Sequence, residues 1–119
     1  MTPRTVLVPL LRENVAPRFD LAVELLLAAF DEDRAEVGRQ HVMLAHSSAD
    51  ELCDFILRQG VNALIVGGIE EEYYHYLRWK RVEVLDGVMG PVNLVLDRYA
   101  RGRLTAGDIL FERRDAGAL

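Results

Sequence analysis

The sequence predicts an α/β fold, and three stretches carry that prediction: a strand–helix–strand unit over residues 61–90, a compact apolar run near the N-terminus, and an amphipathic helix between them. In the first of these, Val61, Ala63, Leu64, Ile65 and Val66 form a near-continuous apolar run, as expected of a strand covered on both faces. Gly67 and Gly68 end it, so the backbone there can turn sharply or approach another group closely. Residues 70–80 have helical composition, with acids first and bases last, and residues 81–85 make a short β-branched strand closed by Gly87 and Gly90. Two strands joined by a crossover helix of this length form a right-handed βαβ unit. Open parallel sheets bind ligands beyond the carboxyl ends of their strands, which places a candidate site at Gly67-Gly68 and residues 86–90.

The remaining elements follow in order. Residues 5–10, TVLVPL, read as a central strand that tolerates Pro9 only near its end. Residues 12–20 read as a loop punctuated by Asn14 and Pro17. Residues 20–30, DLAVELLLAAF, have the Ala, Leu and Glu content of a helix, with Asp20 placed as an N-cap. Their apolar residues nevertheless cover every side, and the polar turn and apolar-leaning run after them suit a hairpin. Helix is the reading that composition favours slightly. Residues 48–59 form an amphipathic helix opened by the capping box Ser48-x-x-Glu51, with Leu52, Phe55 and Ile56 on its apolar face and Gly60 after its last turn. A last helix over 91–101 starts at Pro91 and buries Val92, Val95, Leu96 and Tyr99. For residues 105–119, a short element through Ile109, Leu110 and Phe111 and a plain tail are both open.

At 119 residues the chain makes one domain with a single core. A net charge of −5 argues against a general nucleic-acid or anionic-membrane binder. No apolar stretch reaches the roughly 18 residues of a membrane span, and the N-terminus lacks a signal-peptide layout. With Cys53 as its one cysteine the chain forms no internal disulfide and no cysteine-based metal cage. A cytoplasmic protein is the expectation.

Four pieces in order, APRFD at 16–20, GGI at 67–69, GVMG at 87–90 and YARGRL at 99–104, resemble the dinitrogenase iron–molybdenum cofactor-binding domain family. The resemblance covers residues 5–104, which sets residues 1–104 as the domain and 105–119 as a C-terminal extension. It implies a ribonuclease H-like three-layer α/β/α fold with a five-stranded mixed sheet whose second strand is antiparallel. It also implies strands at 24–30 and 37–45 joined by the acidic turn 31–33, against the slight helical preference above. In function it implies binding or carriage of an iron–molybdenum or related metal–sulfur cofactor, without catalysis, in the nitrogenase-accessory manner. The partners implied are cofactor-assembly proteins, and neither nucleic acid nor membrane.

The candidate contacts to such a cofactor are Arg18, Phe19, Gly67, Gly68, His75, Gly87 and Gly90, with His75 as the candidate metal ligand. A glycine turn at a helix N-terminus seats anions, but Glu70, Glu71 and Glu72 compete with one here. Imidazole suits iron and molybdenum, yet His75 lies two residues from the sheet-facing Tyr73, so it points away from the core and within reach of Glu71. His41 and His46 read as structural or solvent-facing, and Cys53 as a small buried hydrophobe. One thiol cannot hold a cluster that needs four, so any cluster is bound transiently. Arg18 stands where the family usually has histidine, and with Arg12 nearby it suits an anion better than a metal. Tyr74, Tyr76 and Trp79 cannot all be buried on one face, so some of them line a groove or a partner surface. Two alternatives remain. One is a regulatory or interaction module that keeps the fold without a cofactor. The other is a metal-dependent nuclease using Glu24, Glu70–Glu72 and Asp86, although TVLVPL lacks the strand acids that such enzymes need.

Overall fold

The structure is a computed structural model and describes residues 3–111. Its centre is β1 (Arg4–Leu11), which pairs antiparallel with β3 (Glu24–Phe30) on one side and parallel with β5 (Ala63–Ile65) on the other. Outside β3 lies β4 (Glu36–Met43), and outside β5 lies β6 (Glu83–Leu85), giving the order β4-β3-β1-β5-β6. A two-residue strand, β2 (Asn14–Val15), folds back on the end of β1 and brings the total to six. The helices are α1 (Ala49–Arg58), α2 (Glu71–Trp79) and α3 (Val92–Ala100).

Strand periodicity divides the core into two layers. Val6, Val8 and Leu10 of β1, Leu26, Ala28 and Phe30 of β3, and Ala63 and Ile65 of β5 pack against Val92, Val95 and Leu96 of α3. The alternate residues Leu7, Leu25, Leu27 and Leu64 pack with Leu52, Cys53 and Ile56 of α1 and Leu77 of α2. The result is a three-layer α/β architecture with a mixed sheet. Among the described residues no polar or charged side chain is buried.

Residues 24–30 are a strand. Leu25, Leu26, Leu27 and Ala28 are all buried because a helix layer covers each face of β3, so no alternation shows in the sequence. The strand that the resemblance implies at 24–30 is thus the one observed, and tertiary context overrides the slight helical preference of its composition. Residues 12–20, read as a loop, contain β2 and a 3-10 turn at Phe19–Leu21. The capping box forms by half. Ser48 Oγ accepts from the Glu51 N–H at 3.2 Å, while the Glu51 carboxylate stands 3.2 Å from His46 Nε2 and makes no recorded return bond to Ser48. Gly60 takes the left-handed conformation expected after α1, at φ +64°.

At the outer edge β4 is exposed along nearly its whole length. Arg39 forks onto Glu36 and donates to Asn93 of α3 at 2.8 Å, tying this edge to the helix layer. Charge on an edge strand and the irregular register at Ala29/Phe30 both oppose edge-to-edge pairing. The carboxyl ends of β1, β5 and β6 all reach the opposite end of the molecule from Arg4, Glu83 and Tyr99, which are hydrogen-bonded together at the amino ends.

Candidate functional site

Three loops meet where the parallel strands end, and backbone hydrogen bonds bind them together. After β1 the chain reverses at the Arg12-Glu13 tip, where Arg12 sits at φ +60°, a conformation costly for a residue with a Cβ. Residues 16–18 then cross directly over Gly67-Gly68. The Gly67 N–H donates to the Ala16 carbonyl at 3.0 Å and the Gly68 N–H to the Pro17 carbonyl at 2.6 Å. In return the Phe19 N–H donates to the Gly68 carbonyl at 2.8 Å. From the third loop, the Gly87 N–H donates to the Gly67 carbonyl at 2.7 Å, and the Val15 N–H to the Gly90 carbonyl at 3.0 Å.

This junction accounts for most of the residues singled out from sequence. Gly67 and Gly68 lie at the predicted edge, but both amide protons point into the 16–18 crossing, so the expected anion seat has no free donor at either glycine. Phe19 is a core side chain, 1% exposed, with its ring 6.0 Å from that of Tyr73. Arg18 forks onto its own neighbour Asp20, at 3.0 and 2.6 Å, which raises the Arg18 pKa above its ordinary value. Gly87 takes φ +69° and Gly90 φ +136°, backbone that favours glycine. His75 is not brought to the junction: it is exposed on α2 with its ring edge-on to Tyr74 at 5.3 Å, and no ion pair with Glu71 forms. Among the described residues no group of three or more His, Cys, Asp or Glu side chains is placed to hold a metal ion.

The chain supplies a further wall from residues for which the sequence leaves a short element and a plain tail both open; of that extension, residues 112–119 lie outside the described residues. Residues 105–111 run back across the 87–90 turn as a strap. The Gly107 N–H donates to the Asp86 carbonyl at 2.8 Å, the Met89 N–H to the Asp108 carbonyl at 3.0 Å, and the Leu110 N–H to the Met89 carbonyl at 2.8 Å. Thr105 anchors the strap by donating from its N–H and hydroxyl to the Asp108 carboxylate, at 2.9 and 3.1 Å. Between strap and hairpin tip lies a groove of about 570 Å³, lined by Leu11, Arg12 and Asn14 of the hairpin, by Pro17, Met89 and Gly90, and by Ile109 and Phe111 of the strap. Leu11, Met89, Ile109 and Phe111 are each more than half exposed. Their signal in the sequence is weak: Leu11 ends a strand, and Ile109 and Phe111 are separated from the turn by a helix.

Cys53 sits away from this edge, beside Asp50, Asp54, Glu72, Tyr73 and Tyr76 in a cleft between α1 and α2. Burial, aided by the negative charges of Asp50 and Asp54, pushes its pKa up to about 11. The folded thiol therefore keeps its proton after the unfolded thiol has lost one. Stability is expected to fall between about pH 9 and pH 11, through Cys53 and, in the same direction, Tyr73, whose pKa is also raised by desolvation. Urea midpoints at pH 8 and 10.5 check this, and Cys53→Ala should flatten part of the decline.

Comparison with known proteins adds one kind of information. No protein-family model matches the sequence, and no curated protein does. Solved structures do match. The protein PH0822 superimposes with a TM-score of 0.77 at 20% identity, covering 86% of this chain and 93% of its own. A "putative dinitrogenase" from Methanocaldococcus jannaschii gives 0.69 at 20% identity, over 88% and 94%. A "putative NifB protein" from Thermotoga gives 0.64 at 22% identity, over 97% and 100%. The likeness is one of fold. It shows that this chain shares the α/β fold of these structures and leaves the chemistry to the residues themselves. No helix among the described residues is long and apolar enough to cross a membrane.

Proposed function

We propose that this chain is a non-catalytic binding module that takes its ligand at the carboxyl edge of the sheet, in the groove between the Arg12 hairpin and the 105–111 strap. The observation that carries this reading is the groove itself: both walls are held by backbone hydrogen bonds, and its exposed side chains are apolar apart from Arg12 and Asn14. Pre-formed, mostly apolar concavities with few polar groups are the usual form of a ligand site.

The names of two structural neighbours support a cofactor-related role, with cofactor-assembly proteins as partners. A ligated metal–sulfur cluster, however, does not fit the residues present. Among the described residues the groove offers no thiolate, imidazole or carboxylate, and its one soft donor is the Met89 thioether. Arg18 is engaged by Asp20, and the amides of Gly67 and Gly68 are spent. The regulatory or interaction reading is therefore preferred to metal–sulfur carriage. The nuclease reading has less support, since Glu24, Glu70–Glu72 and Asp86 form no converging carboxylate cluster.

Anaerobic reconstitution with iron, molybdate and sulfide, followed by desalting, tests this choice. The protein is expected to retain no metal and to show no visible absorption. Iron held in stoichiometric amount would sink the proposal and restore cofactor carriage.

A further inference from the structure

We infer that the groove takes a small apolar monocarboxylate, its alkyl or aryl body lying between Leu11, Met89 and Phe111 and its carboxylate on Arg12. This rests on the proposed use of the groove as the ligand site and names the ligand's class. The volume of about 570 Å³ suits a small molecule. The charge balance then selects among small molecules. Among the described residues Arg12 is the single charged one in the lining, no acid lines the groove, and Arg12 makes no ion pair. A guanidinium beside apolar walls recognises a carboxylate through its planar fork of donors. A doubly charged phosphate would leave one charge against apolar side chains, and a cationic amphiphile would meet Arg12 with like charge. A second copy brought onto the groove by a two-fold axis would present its own Arg12 and no acid from this patch.

The backbone supports the same assignment. At φ +60° Arg12 occupies a turn position where glycine would be less strained, so the turn itself gives no reason for an arginine there. The groove needs no rearrangement to open, because the hairpin is pinned by Val15 N–H to Gly90 and Val92 N–H to Glu13, and the strap by its bonds to Asp86 and Met89.

The full chain, labelled with nitrogen-15, is titrated with sodium octanoate and, in parallel, with octylamine and octanol. Octanoate is expected to give saturable amide shifts at Arg12, Val15, Gly90 and Leu110, and to bind at least several-fold more tightly than the other two. Arg12→Gly removes the charge and relieves the left-handed backbone, so it should fold and lose about tenfold in octanoate affinity, while Arg12→Lys keeps the charge without the fork and should fall between the two. Equal binding of octanoate and octylamine, unchanged affinity in Arg12→Gly, or the absence of a saturable shift overturns the inference. So does a dimer whose groove amides shift on dilution without ligand, since a second copy then fills the groove. Lack of octanoate binding with no metal retained on reconstitution defeats this inference alone, whereas a retained cluster defeats the reading beneath it.

Discussion

Replacing Gly67 by alanine is expected to cost the fold about 3 kcal/mol and to dislodge the first loop from the sheet edge. A Cβ at this position would stand 2.7 Å from the Ala16 carbonyl oxygen and 2.8 Å from both Cα and the carbonyl oxygen of Pro17. All three are backbone atoms, so no side chain can swing aside. The crossing segment must move outward, and with it go the bonds that Gly67 and Gly68 make to Ala16 and Pro17. Ligand binding in the groove should fall as well, because Pro17 is one of the residues that line it. Urea unfolding measures the loss. Gly38→Ala is the control, since a Cβ there meets nothing within 4 Å. Equal stability of the two variants would show that the loops are not packed as described.

The second large effect is expected at Phe19. Truncation to alanine removes a side chain that is 1% exposed and packed in the layer under α1 and α2, and should cost about 3–5 kcal/mol. Its ring also positions Tyr73, whose centroid is 6.0 Å away. Phe19→Leu should cost about 1–2 kcal/mol, because most of the volume is kept. Calorimetric unfolding of the three proteins orders them. A loss below about 1 kcal/mol for Phe19→Ala would place the ring outside the core and return it to the pool of ligand contacts.

The two substitutions show where the sequence was readable and where it was not. Strands β1 and β5, the cap at Ser48 and the left-handed Gly60 were legible because each rests on neighbours a few residues away. Strand β3 was not, since two helix layers bury both of its faces and erase the alternation that marks a strand. The meeting of the glycine turns with the first loop at the carboxyl ends of the strands was legible too. What escaped was how those glycines are used. Gly67 is small so that residue 16 of the same chain can cross it, and a partner some fifty positions away leaves no local pattern. The apolar groove escaped for the same reason, as its walls come from the two ends of the chain.

The strap sets the order in which the protein acquires its binding capacity as it folds. Among the described residues every strand and helix lies before residue 101, so both core layers can close before residues 105–111 dock. Until they do, the 87–90 turn lacks its cover and the groove has one wall. The domain therefore becomes a folded body first and a receptor second, and a ligand meets a complete site only once the strap has docked.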